Sequence, residues 1–450
     1  MNVFAKYTKL AMLSCICLLF LGAVMVPDSV AAVASFDPAK ISDMSDYDPI
    51  KPVFPTSEDT FKIGLMEPFS GPAAANGKYY WLTNSWVVHD LNKRGGIKVD
   101  GKMKKIEIIK GDTQAKPAIT KKTAEKLCLE DKVNVLVGTS GSHLCAVIES
   151  VAKKYKTLFH MPTSLSIALL NGKNFNRYSF RSCLNTETFG LAMAYYYSKR
   201  PEKKFYIMNQ DYSYGHELAG VFKAGLKKYY PDAEVVGEAF HPLFLKDFAP
   251  YITKVQGSGA EVIFTGDWTP DGFNLVKQAV GMGLKMPVAN IYIDNRPLME
   301  MIGGPTGTIM FNGNDYMVSV ETPENNALIK SWHESQKNWS APYDTDEFLW
   351  PVTIFGRCVD SAYWFFNVVE RAGTTDPEKI IETWEGDEYK GLVGTLKMRA
   401  CDHQAVRDVF VTQFEFPNKW HDKGASYGKA AVIQAQHCTP AVAPDLERCK

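Results

Sequence analysis

The sequence predicts an α/β protein built from two lobes, each a mainly parallel sheet with helices on both faces. Short apolar runs alternate with longer amphipathic stretches from residue 61 to residue 293, and this alternation is typical of parallel strands joined by helices. About eight such runs are present, more than one mononucleotide-binding half needs, so two lobes are expected. A chain of 450 residues is also long enough for two or three domains.

The predicted strands are the apolar runs of this alternation, at residues 61–66, 106–109, 133–137, 157–161, 205–208, 235–239, 262–265 and 288–293. Helical patterns lie between most of them, for example at residues 119–129, 144–154, 218–229 and 273–282. Three segments are expected to cross between the lobes as a hinge, near residues 178–182, near residues 306–314 and after residues 392–398.

The first residues predict a cleaved export signal. Lys6 and Lys9 precede an apolar run at residues 11–26, and small residues follow at positions 29–34, which is the order of a secretory signal peptide. A membrane anchor is the alternative, because roughly 16 apolar residues fall just short of a spanning helix. We therefore predict a signal peptide over residues 1–34.

The rest of the chain is predicted to form an arm, two lobes and a tail. Residues 35–59 are rich in Asp, Ser and Pro without a clear period, and they predict an arm that wraps the surface. The N-terminal lobe is predicted to hold residues 60–178 with about 308–355, and the C-terminal lobe residues 179–307 with about 356–430. Residues 431–450 form the predicted tail.

Composition argues against two classes of protein. Hydrophobic residues make up 46% of the chain and charged residues 22%, which is typical of a globular protein and not of a disordered one. The 50 basic and 50 acidic residues leave a formal net charge of +0. A nucleic-acid partner usually requires a basic excess or stripe, so none is expected.

Nine cysteines are present, and two of them lie in the predicted signal. Seven would remain after cleavage, an odd number that leaves at least one thiol unpaired within the chain. Cys128 with Cys145 and Cys438 with Cys449 are candidate pairs in an oxidising compartment, although the sequence does not decide the connectivity. The spacings contain no C-x-x-C, and the histidines near Cys145 and Cys401 lack a third ligand at a usual spacing, so no metal site is expected.

The first strand, loop and helix carry a family resemblance. An apolar run ends in the loop Pro-Phe-Ser-Gly-Pro at residues 68–72, and a long amphipathic stretch ends in Asp-Leu-Asn-Lys-Arg-Gly-Gly-Ile at residues 90–97. This segment resembles the first βα unit of the periplasmic solute-binding proteins of the branched-chain amino acid (Leu/Ile/Val) type. The run Met-Arg-Ala-Cys-Asp-His-Gln at residues 398–404 is similar to the ending of one subgroup of that family. The resemblance covers nearly the whole mature chain.

The resemblance implies a two-lobed type I periplasmic-binding fold with a three-strand hinge. It also implies a periplasmic receptor that binds a small ligand between its lobes, uses no cofactor or metal, and delivers the ligand to the permease subunits of an ABC importer. Enzyme motifs are missing at the corresponding loop, because a nucleophile elbow needs G-x-S-x-G and Ser142 occupies the last glycine position. The G-x-G-x-x-G motif of dinucleotide binding is also missing there.

Two loops of the N-terminal lobe are predicted to hold the ligand carboxylate. The first follows a strand and opens a helix, and its residues Ser140, Gly141 and Ser142 would offer free amides and a positive dipole end to an anion. The resembling family also uses the loop after the next strand, where Thr163 and Ser164 match. The alternatives are ordinary N-capping by serine and a turn shaped by proline.

The remaining candidates lie mainly in the C-terminal lobe. The family pattern D-x-x-Y-G, whose tyrosine closes over the ligand, is matched at Tyr214. Asp267 and Trp268 follow a predicted strand, where a tryptophan suits the apolar wall of a cleft. Asp294 lies where the amino-acid binders place the acid that pairs with the ligand ammonium. Asn76 stands where those binders often carry an aromatic residue beside the ligand side chain.

We therefore expect an exported receptor for a small carboxylated solute, with a branched-chain or related amino acid as the first candidate. An aromatic or aliphatic organic acid would need no ammonium partner, and Trp268 with the neighbouring tyrosines suits a ring. A short amide is also open, since related proteins bind amides. A subunit that senses the ligand for a signalling receptor is a further alternative, because the same fold serves that role.

Overall fold

A computed structural model of the protein describes residues 33–52, 54–55, 59–350, 352–442 and 446–450. Nearly all of the predicted export signal, residues 1–32, lies outside the described residues. The part from Ala34 to Lys450 forms one compact unit. None of the helices in the described part of the chain combines the length and the apolar character needed to cross a membrane.

The described chain up to residue 200 contains the first large sheet, most of the helices that cover it, and a last helix, Thr186–Tyr197, which packs on the helix Ser213–Tyr229. Its strands are β1 (Ala34–Ser35), β2 (Phe61–Glu67), β3 (Ile97–Val99), β4 (Lys102–Lys104), β5 (Ile106–Asp112), β6 (Val135–Gly138), β7 (Leu158–Met161) and β8 (Ser179–Arg181). Its helices are α1 (Ala74–Lys93), α2 (Pro117–Leu129), α3 (Ser142–Tyr155) and α4 (Thr186–Tyr197).

The second half begins with another run of alternating strands and helices. The strands are β9 (Lys204–Gln210), β10 (Glu234–His241), β11 (Val262–Phe264), β12 (Val288–Asn290) and β13 (Met310–Asn314). The helices between them are α5 (Ser213–Tyr229), α6 (Ala249–Gly257), α7 (Asp271–Gly281) and α8 (Arg296–Ile302).

The C-terminal part starts with helices and ends mainly in strands. The helices are α9 (Pro323–Gln336), α10 (Thr353–Ala372), α11 (Pro377–Trp384) and α12 (Ala435–Cys438). The strands are β14 (Glu388–Lys390), β15 (Thr395–Met398), β16 (Ala405–Val406), β17 (Val409–Glu415), β18 (Ser426–Tyr427) and β19 (Ala431–Ile433).

Two mainly parallel sheets form the framework of the protein. The first has the order β5-β2-β6-β7-β8, and all of its neighbouring strands are parallel. The second has the order β10-β9-β11-β12-β13-β17-β18, with parallel pairing as far as β13 and antiparallel pairing beyond it. Strand β2 is buried along almost its whole length, as expected for a parallel strand covered on both faces. The predicted two-lobed α/β fold is confirmed.

Three segments pass side by side between the two sheets and form the hinge. They follow β8, follow β13, and join β16 to β17. Arg181 and Gln404 form a parallel bridge between the first and third segments. The backbone amide of Leu184 donates to the carboxylate of Asp315 at 2.9 Å, which joins the first segment to the second. Three adjacent crossings are an arrangement that can act as a hinge between two lobes.

The chain divides between the lobes differently from the predicted boundaries. Strand β13 was expected in the N-terminal lobe but pairs with β12 and β17 of the second sheet. Helix α10 was expected mainly in the C-terminal lobe but packs on α1, where the Tyr363 hydroxyl donates to Asp90 at 2.6 Å. Any helix with an apolar face can cover either sheet. Only the packed structure therefore decides which lobe α10 joins.

The described part of the predicted arm is packed against the first lobe. Phe36, Met44 and Tyr47 are buried, and the Tyr47 hydroxyl lies 2.6 Å from the hydroxyl of Ser85 on α1. Strand β1 pairs with β14. The arm thus ties α1 to the chain beyond α11.

The cysteine pairing differs from both candidate pairs. Cys401, just after β15, forms a disulfide with Cys449 in the tail. Cys128, Cys145 and Cys438 are free thiols. The candidate pairs relied on closeness in sequence, whereas a disulfide requires two Cα atoms within about 7 Å in the folded chain.

Candidate functional site

A cavity lies between the two sheets, at the carboxyl ends of their parallel strands. Its walls come from the loops after β6, β7, β9, β11 and β12, together with α1 and the start of α10. The cavity has a volume of about 70 Å³, counted as the space open to the centre of a water molecule. One ordered water needs roughly 10–15 Å³ of such space. Its size suits a small molecule, at the place where open α/β sheets hold ligands.

Nine of the ten predicted site residues line this cavity, and both lobes contribute. Those from the N-terminal lobe are Asn76, Ser140, Gly141, Ser142, Thr163 and Ser164. Those from the C-terminal lobe are Tyr214, Trp268 and Asp294. Asp267 is the exception, and the structure places it elsewhere.

The loop between β6 and α3 forms the polar end of the cavity. Gly138 has a φ of 135°, and a Cβ atom there would lie 2.1 Å from the carbonyl oxygen of Met66. Only glycine therefore allows this loop to approach β2 so closely. Helix α3 begins at Ser142, and its first amides have no acceptor within the helix. Free amides and the positive end of a helix dipole are features that favour an anion at such a point.

The hydroxyls at this end differ in what they can offer. Ser142 Oγ accepts from the backbone amide of Ser166 at 3.3 Å, and Thr163 Oγ1 accepts from the Tyr80 hydroxyl. Both therefore keep their own O–H to donate to a ligand oxygen. Ser164 Oγ instead donates to the carbonyl of Thr139 at 2.7 Å. Its hydroxyl serves the loop, although the residue lines the cavity.

Glu67 lies directly behind this loop, and sequence reasoning missed it. It is the last residue of β2 and is fully buried. Its Oε2 accepts from the backbone amide of Ser140 at 2.9 Å. Burial raises the pKa of Glu67 to about 8, so its carboxyl is mostly neutral at pH 7. The positive potential of the α3 N-terminus is therefore not cancelled from behind.

Aromatic rings form the wall that faces the polar end. Trp268 Nε1 donates to the Tyr212 hydroxyl at 3.0 Å, and the Tyr214 hydroxyl donates to the carbonyl of Gly266 at 3.0 Å. The polar atoms of these side chains are thus satisfied within the lobe, which leaves their ring faces for a ligand. Tyr292 from the next loop belongs to the same wall.

Asp267 points away from the cavity into its own lobe. Its side chain is fully buried, and its Oδ2 lies 2.7 Å from Nε2 of His241 at the end of β10. Burial raises the pKa of Asp267, and the histidine partly offsets this effect. Adjacent residues after a strand point to opposite sides, so Trp268 reaches the cleft and Asp267 does not. The prediction that Asp267 contacts the ligand is not supported.

Asp294 lines the cavity and is held by two hydrogen bonds on one oxygen. Its Oδ2 accepts from the backbone amide of Thr353 at 2.9 Å and from the Tyr427 hydroxyl at 2.6 Å. The side chain is partly exposed. With Oδ2 committed to the protein, Oδ1 is the oxygen that a ligand donor would reach.

Helix α1 brings aromatic residues that the sequence analysis did not single out. Tyr79 and Tyr80 lie three and four residues after Asn76, and all three line the cavity because residues at this spacing share one face of a helix. The aromatic residue expected at Asn76 is thus supplied one turn later. This helical spacing was a signal available from the sequence. By contrast, Val352 and Ile354 at the start of α10 also line the cavity and are far away in the chain.

Direct hydrogen bonds join the lobes around the cavity. The Tyr292 hydroxyl of the C-terminal lobe donates to the carbonyl of Thr163 at 3.2 Å. Farther from the cavity, Glu217 on α5 accepts from the Ser166 hydroxyl at 2.7 Å and from the Ile167 amide at 2.8 Å. These contacts hold the two walls together and define a closed arrangement of the lobes.

Potential metal ligands come together once among the described residues. The group is Cys401, Asp402 and Cys449. Its two cysteines form the disulfide with each other, so neither offers a thiolate to a metal ion.

Comparison with known proteins agrees with this architecture. The family model described as periplasmic binding protein matches residues 60–424. The Leu/Ile/Val-binding protein homolog 4 of Brucella abortus is 26% identical over 383 residues, which cover 83% of this chain and 88% of that protein. These relatives are binding proteins, in agreement with the prediction of a binding protein rather than an enzyme.

Solved structures share the fold. One is a solute-binding protein of an ABC transporter from Rhodopseudomonas palustris BisB5 in complex with 3,4-dihydroxy benzoic acid, with a TM-score of 0.72, 22% identity and coverage of 84% of this chain and 98% of that one. Another is a leucine-, isoleucine-, valine-, threonine- and alanine-binding protein from Brucella ovis in a closed conformation, with a TM-score of 0.71, 22% identity and coverage of 87% and 98%. Because the family model spans most of the sequence, this chain belongs to the periplasmic binding protein family.

Proposed function

We propose that this protein is the exported receptor of an ABC importer and that it captures a small carboxylated solute between its lobes in the periplasm. The observation that carries the proposal is the contrast between the two walls of the cavity. Amides and hydroxyl donors at Ser142 and Thr163 face a wall of rings that includes Tyr214 and Trp268. Such a cavity suits a ligand with a carboxylate at one end and an apolar body.

Ligand capture would favour the closed arrangement of the lobes. A solute that contacts both walls has a higher affinity for the closed form than for the open one, and this difference shifts the population towards closure. The closed form would then dock on the membrane permease and release the solute. Residues outside the cavity, such as Glu217, would support closure without touching the ligand.

A branched-chain or related amino acid is our first candidate for the ligand. Asp294 Oδ1 would accept from the ligand ammonium, while Oδ2 remains bonded to Thr353 and Tyr427. Support comes from the relatives, since the Brucella abortus protein is named a Leu/Ile/Val-binding protein homolog.

An aromatic acid is the second candidate, and the composition of the cavity wall favours it. Six aromatic side chains line the cavity, namely Tyr79, Tyr80, Tyr212, Tyr214, Trp268 and Tyr292. Flat rings stack well against one another. Structures of the same fold contain 3,4-dihydroxy benzoic acid and 4-hydroxybenzoate.

Thermal-shift measurements with the refolded, ligand-free protein test the proposal. The panel should contain leucine, isoleucine and valine, benzoate and 4-hydroxybenzoate, aliphatic acids, and short amides. A ligand at a hundred times its Kd stabilises the folded state by about 2.7 kcal/mol, which is easily detected. The absence of a shift with every carboxylated solute would contradict the proposed ligand class.

The variant Asp294→Asn separates the two candidates. The amide keeps an oxygen for Thr353 and Tyr427 but removes the charge that an ammonium needs. We expect a loss of leucine affinity of more than tenfold, since a buried charge pair loses one partner, and little change for benzoate. Asp422→Asn is the matched control, because Asp422 is well exposed and does not line the cavity. Unchanged leucine binding in Asp294→Asn would rule out the ammonium-pairing model.

The genes that lie beside the gene for this protein would distinguish a transport role from a sensing role. Genes for two permeases and two ATPases beside this one would support import. A gene for a histidine kinase in their place would favour a sensing role with the same ligand site.

A further inference from the structure

Glu67 occupies an unusual place for a carboxyl group. It bonds to the loop of residues 138–142 and does not line the cavity. Oε2 accepts from the Ser140 amide at 2.9 Å and, more weakly, from the Thr139 hydroxyl at 3.5 Å. Oε1 is buried and has no hydrogen-bond partner among the described residues. A carboxylate in such a place would have a charge that little else stabilises.

We infer that Glu67 is a positioning residue, whose protonated carboxyl holds the loop of residues 138–142 ready for a ligand carboxylate and whose ionisation weakens ligand binding. The inference deepens the proposed function and rests on it, because it assumes that an anion binds at the N-terminus of α3. Glu67 itself does not touch the ligand. It acts through the Ser140 amide and through its charge.

The titratable groups around Glu67 do not account for a change of charge near pH 8. Tyr80 of α1, Cys145 of α3 and Cys358 of α10 are its buried neighbours, and burial raises the pKa of each of them, to about 12 for Cys145. These three groups stay neutral between pH 6 and pH 9.5. Asp112 on the neighbouring strand β5 has a lowered pKa because hydrogen bonds from Ser70 and nearby amides outweigh its partial burial. It stays ionised throughout that range.

Glu67 is therefore the group at this position whose charge changes near neutral pH. Burial raises the pKa of Glu67 to about 8. Below that pH the loop faces the ligand with a net positive potential from α3. Above it, a carboxylate behind the loop would repel a ligand carboxylate bound in front of it, because like charges repel and a protein interior screens them less than water does.

The first arm of the test needs no ligand. Protein labelled with ¹⁵N-serine is titrated from pH 6 to pH 9.5, and the Ser140 amide resonance is assigned by its loss in Ser140→Ala. We expect this resonance to shift with a midpoint near pH 8 in the wild type and to show no such midpoint in Glu67→Gln. The control is Glu149→Gln, because Glu149 is a buried acid with a pKa of about 8 that interacts with Arg181 and Ser179. This control should keep the midpoint.

The second arm measures the affinity for L-leucine and for benzoate at pH 7 and at pH 9.5. We expect the wild type and Glu149→Gln to lose roughly tenfold or more in affinity for whichever probe binds, and Glu67→Gln to lose less than twofold. Comparison with Glu67→Gln also removes the effect of ionisation of the probe itself.

The outcomes distinguish the role of Glu67 from the proposed choice of ligand. A Ser140 amide that does not titrate in the wild type, or a Glu67→Gln variant with the wild-type pH profile, would overturn the role of Glu67. Failure of both probes to bind at pH 7 would instead count against the proposed ligands, while the wild-type titration would still decide whether Glu67 controls the loop.

Discussion

The two walls of the cleft differ in which part of the chain faces the cavity. The N-terminal wall relies on the backbone, because the first amides of α3 and hydroxyls held by the loops form its polar end. The C-terminal wall relies on side chains, chiefly Trp268 and the tyrosines beside it. A backbone site would depend on the residues that hold the backbone in place, such as Glu67 on the Ser140 amide. A side-chain wall depends on the residues themselves, so single substitutions should affect it more directly.

The N-terminal lobe should also make the stability of the folded state fall as pH rises from 4.5 to 8, and this is the largest effect that we expect. Burial raises the pKa of Glu67 and of Glu149 to about 8, from 4.5. At a pH between these two pKa values, unfolding releases protons from both acids. The free energy of unfolding therefore falls as pH rises from 4.5 to 8 and stays constant above pH 8. The double variant Glu67→Gln, Glu149→Gln should exceed the wild type in stability by a few kcal/mol at pH 8.5, and much less at pH 4.5.

Urea unfolding at a series of pH values measures this difference. The control is Glu238→Gln, because Glu238 is a partly exposed acid on β10 that is paired with Lys223. A wild-type free energy of unfolding that does not fall between pH 5 and pH 8 would show that both acids are ionised in the folded protein.

Removal of the main ring of the C-terminal wall should have the largest effect on binding. Trp268→Ala should weaken the affinity for the best panel solute about 100-fold, which corresponds to about 2.7 kcal/mol, because a large apolar contact is lost. Isothermal calorimetry measures the change. Trp420→Ala is a matched control, since both tryptophans are 8% exposed and Trp420 does not line the cavity. Equal effects of the two substitutions would indicate a general loss of stability.

Closure of the lobes can be weakened without a change in either wall. Glu217→Ala removes the hydrogen bonds to Ser166 and Ile167 across the lobes. We expect about tenfold weaker ligand binding, because roughly 1.4 kcal/mol of closed-state stabilisation is lost. The ligand-free protein should also have a larger radius of gyration in X-ray scattering. Unchanged affinity and radius would mean that these contacts do not control closure.

A single hydroxyl of the N-terminal wall should have the smallest effect. Ser142→Ala removes one donor but leaves the amides of α3 in place, so we expect about a fivefold loss of affinity, or about 1 kcal/mol. Ser150→Ala, on the exposed side of the same helix, is the control. A loss of affinity as large as that of Trp268→Ala would show that one hydroxyl of the N-terminal wall contributes as much as the main ring of the C-terminal wall.

Much of the fold followed from local patterns in the sequence. The alternation of apolar runs and helical stretches predicted two parallel sheets, because strands buried on both faces need continuous apolar residues. Site residues at strand ends, such as Ser142, Thr163 and Trp268, were predicted mainly from the family resemblance. They line the cavity because parallel sheets bring the carboxyl ends of their strands to one edge. What such residues do to a ligand stays a prediction.

Other features were decided only by the tertiary structure, because they depend on contacts between residues distant in the chain. The packing of α10 on α1 through Tyr363 and Asp90 has no local signal, and the same is true of the pairing of Cys401 with Cys449. Asp267 and Trp268 are adjacent, yet only the folded loop sends one inward to His241 and the other to the cleft. The sequence by itself determined which segments form strands and where a ligand site should lie. The tertiary structure decided which side chains face that site and placed Glu67 behind it, because burial and charge arise only when separate segments pack together.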